Sequence, residues 1–588
     1  MLAAIGVLLI IAMATTSYVH SATQTIRLAR NHEMDVVLTN GAEAGLEDIL
    51  ISLWKPFKVE QNFDDLDAAL DGASENSPAS IHAGSTSSGA YYVAGVIGYS
   101  KLDTYNRLVT LRSVSWDDAD NDGIIDEGET RKVLDVQQIF SLERSPVFDY
   151  TYFVNNYGWM QGFSQWMLQV NGDMRANGDF DFSGGTPTIN GSVYASANNK
   201  LVPPAPGYVN ITPYQQTNSA YNGVNDPRRR QGYDPVRHGA KGSETYEKWR
   251  DFIYDQQGDI VTGRLAGSVV GDSRGYRRYN GQTLDPTPTR EVVMPDLDDI
   301  SKYVNISLSY VDDRPVFDNG NPNPDFGQGA YVKVWNASLN QYVRVDTNGV
   351  VSGSAILIGS SSKPILIHGP VTFTTDVVIK GYVQGQGTLY AGRNVHIVGS
   401  IRYKNPPDFR GSNPQQVDNN NSSKDLLALA ARGSIMMGNV SKFGFPYPLK
   451  YMTPPFTKGR YDEFGNWTPP FNATEIDYTG RKKYQSVYAD SVINSISEPI
   501  NVLDCILYTN FTGGGRLGEG GGGVTFNGSI ISKDEAMVIY SLPMVMNYDH
   551  RIRERTLSQK PLIDIKLPRT PSTVRAVWQD RGLFISGG

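Results

Sequence analysis

Apolar residues fill the start of the chain: Met1 to Ala14 reads MLAAIGVLLIIAMA, and no formal charge appears before Arg27. A run of that length and character predicts a helix able to span a bilayer. From Arg27 through Trp54 the composition changes but the period stays helical. Ala42, Leu46, Ile49, Leu50 and Leu53 recur at helical spacing, with Glu43, Glu47 and Asp48 between them. Pro56 is expected to end the run. The reading is one helix over residues 1–55, roughly 80 Å long at 1.5 Å per residue. Its first half is apolar all round and its second half amphipathic.

Beyond the helix the period falls to two. Leu108-Val-Thr-Leu-Arg-Ser-Val-Ser and Arg131-Lys-Val-Leu-Asp-Val alternate as strands do. Further on, one short pattern recurs: two apolar residues around a variable one, then a variable residue, Gly, another, and an apolar one. It reads Leu168-Gln-Val-Asn-Gly-Asp-Met174, Ile365-Leu-Ile-His-Gly-Pro-Val371, Val377-Val-Ile-Lys-Gly-Tyr-Val383, Val395-His-Ile-Val-Gly-Ser-Ile401 and Val524-Thr-Phe-Asn-Gly-Ser-Ile530, with a truncated copy at Thr188–Val193. Alternation predicts a strand with one buried face, and Gly supplies a corner. Unequal spacing of the copies suggests a solenoid with insertions. The expected fold class is mainly β with one long N-terminal helix, the body being a parallel β-helix or, as the alternative, a β-sandwich. The expected division is 1–55 for the helix, 56–145 for a small β region and 146–588 for the body. Pro-, Tyr- and Asn-rich insertions are expected near 200–290 and 404–482. Within the second, Ser423–Arg432 reads as a short helix or a buried strand.

Composition agrees with this. Of 588 residues, 19% are charged and 40% hydrophobic, which excludes a wholly disordered chain. The single cysteine, Cys505, excludes an intrachain disulfide and any multi-cysteine metal site. A net charge of −8 provides no global basic field, so no nucleic-acid partner is expected.

Residues 118–129, DADNDGIIDEGE, fit the twelve-residue calcium-loop pattern. Asp118, Asp120 and Asp122 stand at positions 1, 3 and 5, and Gly123 at 6 allows the sharp turn. Ile124 offers its backbone carbonyl at 7, Asp126 stands at 9, and Glu129 at 12 closes the shell. Hard oxygen donors at this density suit Ca²⁺. With strand-like flanks, the expectation is a hairpin whose tip calcium clamps; the other reading is a solvated acidic turn.

The apolar start at Met1–Ala14, the Arg27–Asn31 segment and the Ala42-Glu43-Ala44-Gly45-Leu46-Glu47 stretch resemble the type IV pilin superfamily, in particular its PilX-like pilus-assembly branch. The resemblance implies removal of a short basic leader by a prepilin peptidase, often with methylation of the new terminus. The other reading of Met1–Ala14 is an ordinary signal anchor. The resemblance also implies apolar helices that leave the inner membrane and bundle into a filament core with copies of the same chain or other pilins. One departure is Ile5: most pilins carry glutamate at the fifth mature position, and its absence also occurs in tip-type minor pilins.

No enzyme is expected. The seven histidines show no metal spacing, and His368 and His396 fall inside repeat segments. Gly513–Gly523 lacks the Gly-Lys-Ser/Thr ending of a phosphate loop. Asp534 and Glu535 remain unassigned, since carboxylate pairs for glycoside hydrolysis are recognised by distance. Arg551, Arg553 and Arg555 read as a solvated or interface edge. The expected function is a structural subunit of a type IV pilus-like surface filament. A tip-located minor pilin or adhesin is the alternative, with Tyr and Asn of the loops as candidate glycan contacts. A surface-anchored β-helix carbohydrate-active enzyme is the third reading.

Overall fold

In the computed structural model the described residues are 2–154 apart from 104, 119 and 121, then 292–408, 414–438, 486–533 apart from 511, 512, 516, 519 and 520, 543–553 and 560–585. Short stretches between 158 and 195, and at 273–274, 460–461 and 467–468, are also described. The insertion expected near 200–290 lies outside the described residues apart from 273–274, as do Asp534, Glu535 and Arg555. The fold is mainly β with one long N-terminal helix. The chain divides into two compact units, Met1–Glu143 with Arg569–Gly588, and Arg144–Pro568.

In the first unit helix α1 spans Leu2–Glu60. It runs through Pro56 because the turn beyond is held by packing. Phe57 is buried, stacked on Phe63 at 5.0 Å and edge-on to Phe140 at 5.5 Å, which offsets the backbone hydrogen bond proline forgoes. Leu38, Ala42, Leu46, Ile49, Leu53 and Phe57, at steps of three or four residues, form its buried stripe. The stripe covers a five-stranded sheet of β1 (Ala79–Ser85), β2 (Tyr91–Lys101), β3 (Asn106–Trp116), β4 (Thr130–Arg144) and the C-terminal strand Arg569–Ile585, in that order. A short helix α2 (Asp64–Leu70) adds Leu66 and Leu70 to the same core. Gly45 marks a close approach of helix to sheet. A Cβ there would fall 2.4 Å from Ser113 Oγ and 2.8 Å from the Tyr92 ring, so no larger residue fits.

The C-terminal strand departs from the division expected above, which placed everything after residue 145 in one body. Charge pairing explains its return. The Lys132 ammonium, 4% exposed, is held by Asp35 of α1 at 2.7 Å and Asp580 of the C-terminal strand at 2.8 Å. Asp135 binds Arg112 at 2.7 Å and Arg581 at 2.5 Å, and Gln138 donates to Thr573 Oγ1. A charge this deeply placed is tolerated only when paired, and the C-terminal strand supplies partners.

Asp67 of α2 accepts from Arg107 Nε at 2.7 Å and from the Tyr99 hydroxyl. Burial opposes its ionisation, but hydrogen bonds from Arg107 and Tyr99 outweigh it and pull the carboxyl down to about 2. The folded value lies below the unfolded one of about 3.9. The carboxylate therefore stabilises the unit at neutral pH, and that contribution fades as pH falls from about 4 through about 2.

The second unit is dominated by parallel pairing in register. Its strands neighbour one another in the order Ile365–Phe373, Val377–Ala391, Leu426–Ala431, Val502–Thr509, Val524–Ser532, Met544–Asn547, Leu168–Asn171 and Thr188–Asn190. The register aligns Val371, Leu389, Leu429, Leu507 and Ile530 in one buried column of a continuous apolar core. The copies at Ile365–Val371, Val377–Val383 and Val524–Ile530 lie on these strands, that at Val395–Ile401 lies on Val395–Tyr403 beside them, and the copy at Leu168–Met174 runs from Leu168–Asn171 to the next strand, Met174–Ala176. Leu426–Ala431 is a fully buried strand, and Ile435–Met437 is another, so 404–482 is not insertion throughout. Gly528 shows why the pattern needs glycine. Its φ is +147°, and a Cβ would sit 1.9 Å from the Cys505 carbonyl oxygen of the neighbouring strand.

Gly528→Ala is expected to destabilise the protein by roughly 2–3 kcal/mol, read from the denaturant midpoint. Gly353→Ala, also at positive φ but facing open space, should cost less. For Asp67, the stability gap between wild type and Asp67→Asn should be full at pH 7 and close as pH approaches 2 in an acid-unfolding series. A gap that widened on acidification would contradict the assigned charge state.

Candidate functional site

Loop 117–129 joins β3 to β4, whose antiparallel register runs from Asn106↔Ser141 to Trp116↔Arg131. The hairpin expected from the alternating flanks is therefore present. Asp117 N–H donates to the Thr130 carbonyl and closes the neck. Inside the loop, carboxylates accept from its own amides. Asp118 takes Asp122 N at 3.2 Å and Gly123 N at 2.7 Å, Asp122 takes Ile124 N at 2.7 Å, and Glu129 takes Asp126 N at 2.9 Å. Gly123 has φ +76°, the left-handed turn expected of that position.

Of the sequence-derived ligands, Asp118, Asp120 and Glu129 bring carboxylate oxygens within 4.8 Å of one another, and Asp120, Asp122 and Asp126 do the same. Asp120 belongs to both groups. Asp118 and Glu129 are buried, while Asp120, Asp122 and Asp126 face solvent. The Ile124 side chain points outward and is 60% exposed, so this residue could act only through its backbone carbonyl. Lost solvation and then the neighbouring Asp122 charge push the Asp120 carboxyl up. Convergent like charges with hard oxygen donors fit a divalent cation of the calcium type.

The apolar half of α1 is a second candidate surface. Leu8, Ile10, Met13, Ile26 and Leu28 are each more than 60% exposed, and the helix is long and apolar enough to cross a membrane.

A third candidate site lies in the second unit. Register places Asn190, Asn171, Asn547, Asn527 and Asp504 on successive strands. Their side chains form an unbroken chain. Asn190 donates to Asn171, Asn171 to Asn547 and Asn547 to Asn527, each at 2.7 Å, and Asn527 donates to Asp504 at 2.8 Å. Asp504 also accepts from Tyr403 N at 2.9 Å. Asn171, Asn547, Asn527 and Asp504 line a cleft of about 280 Å³, with Pro407 and His550 among its other walls. The available signal was Asn immediately before Gly in three repeat copies, at Asn171, Asn190 and Asn527.

Arg551 is no solvated edge. It is 1% exposed, doubly bonded to Asp549, and donates to the Lys424 and Asp425 carbonyls. Arg553 is half-exposed beside Asp173 at 3.5 Å. Cys505 is a buried free thiol, pushed well up first by burial and then by Asp504. His368 and His396 are buried strand residues, and burial draws the His368 pKa down.

No family model matches the chain, and no curated protein matches it. Among solved structures, the competence-associated pilin ComZ from Thermus thermophilus aligns over 94% of this chain and 98% of its own, at 11% identity and a TM-score of 0.24. A glycosylated ice-binding protein from an Arctic yeast aligns over 69% of this chain and 94% of its own, at 8% identity and a TM-score of 0.18.

Proposed function

We propose that this chain is a pilin-like subunit of a type IV pilus-like surface filament, held in the inner membrane by α1 before assembly. The observation that carries the reading is the division of labour along α1. Its second half is fixed in a sheet, while its first half extends unpaired with apolar side chains in every direction. An isolated apolar helix of that kind is stable only in lipid or among similar helices. Copies of the chain, or other pilins, are the partners such a surface fits. The body outside the helix would then be carried on the filament exterior, its in-register parallel strands wound as a β-helix. A tip-located minor pilin or adhesin is the second reading, favoured by the bulk of Arg144–Pro568 relative to a single helix. The hairpin tip 118–129 would hold structural Ca²⁺ through Asp118, Asp120, Asp122, Asp126, Glu129 and the Ile124 carbonyl.

Filaments sheared from cells and probed for this chain test the assembly reading. Wild type is expected in the sheared fraction; Ile10→Lys, at an exposed position of α1, should be absent from it while the protein remains folded. A wild-type chain confined to membranes, or a variant that assembles normally, would overturn the proposal. The ratio of chain to filament mass separates body subunit from tip. For calcium, about 1 mM Ca²⁺ against a chelator should stabilise by on the order of 1 kcal/mol. Asp120→Asn should lose that response, and identical unfolding midpoints in both buffers would refute the metal.

A further inference from the structure

The chain of amides across the second unit has a property that strand stacking does not require. Asn547 and Asn527 each use one amide N–H and one oxygen lone pair within the chain. An asparagine side chain carries two N–H donors and two acceptor sites. Each therefore keeps, among the described residues, one donor and one acceptor for another molecule. Neighbouring strands lie about 4.8 Å apart, so these pairs repeat at that interval along the cleft wall. Asn171 differs. Its oxygen already accepts from Asn190 and from Gln169 Nε2 at 3.1 Å, which leaves it a donor only.

The remaining walls narrow the ligand class. Asp504 ends the row as an acceptor, 7% exposed, with its oxygens fixed by Asn527 and Tyr403 N. Asp549 is saturated by Arg551, so its charge is matched within the fold. The cleft thus presents paired donors and acceptors, the Asp504 carboxylate beside the Arg551-paired Asp549, and the apolar face of Pro407. A hydroxyl both donates and accepts, and adjacent ring hydroxyls repeat that duality over short distances. An anionic ligand would face the Asp504 charge, and an apolar one would strip the amides of hydrogen bonds without replacing them.

We propose that this cleft binds an uncharged saccharide, whose hydroxyls bridge the amides of Asn547 and Asn527 and reach Asp504. Burial raises the Asp504 pKa, and its two hydrogen bonds offset only part of that shift.

The test uses full-length protein in a detergent without sugar headgroups, applied to an array of neutral glucans, mannans, galactans and xylans alongside uronate-containing glycans. At least one neutral glycan should be retained, with the uronate glycans weaker. Asn527→Ala and Asn547→Ala should each lower affinity about tenfold or more, since each leaves sugar hydroxyls unpaired. Asn190→Ala breaks the same chain of amides outside the cleft and should leave affinity within about twofold. Should the cleft asparagine variants misfold, Pro407→Arg, which crowds the cleft from a residue outside the amide row, should abolish retention. No retained neutral glycan, preference for the uronates, or equal losses for Asn190→Ala and Asn547→Ala would overturn the proposal. None of these readouts depends on filament assembly.

Discussion

The second unit depends on one constraint: its parallel strands satisfy their backbone groups with neighbours held largely in register. Parallel pairing without slippage copies the chemistry of one strand onto the next. Apolar positions therefore align as columns, as Val371, Leu389, Leu429, Leu507 and Ile530 do. The same copying aligns polar positions, and an asparagine beside an asparagine finds its ideal partner one strand away. It also explains the intolerance at Gly528, where the adjacent carbonyl occupies the space of a side chain. Core, polar row and glycine corner are one geometric rule applied to three kinds of residue.

The first unit solves a different problem, that of holding half a helix firmly while leaving the other half bare. Apolar burial fixes α1 from Leu38 to Phe57, and Gly45 lets the sheet come close. Buried charge pairing then specifies which strands meet. Lys132 cannot remain 4% exposed without both Asp35 and Asp580. That one ammonium connects the helix, β4 and the end of the chain.

Long-range partners were the part the sequence hid. Periodicity is a local signal, and the helix, the strand-like flanks of loop 117–129 and the repeat strands all emerged from it. Pro56 misled because a local breaker was overruled by Phe57, Phe63 and Phe140, which are brought together only by the fold. Arg569–Ile585 pairs with β4 across the length of the chain, and nothing within it names that neighbour. Arg551 looked like surface because its partners include backbone carbonyls at Lys424 and Asp425, more than a hundred residues away. The loop carboxylates were legible from spacing alone, since all lie within twelve positions. The amide row combines Asn171 and Asn190 with Asn527 and Asn547 from the far end of the chain, and no local pattern joins them.

The return of the C-terminal strand has a mechanical consequence. Arg569 donates to the Leu142 carbonyl at 3.1 Å, so the chain leaves and re-enters the first unit at adjacent points. The 425 residues of Arg144–Pro568 are thus spliced into a closed excursion, secured at both ends. A protease that nicks one crossing leaves the other covalently intact, and shear on the excursion is shared between two strands of one sheet. Such a double tether makes loss of the second unit a two-hit event.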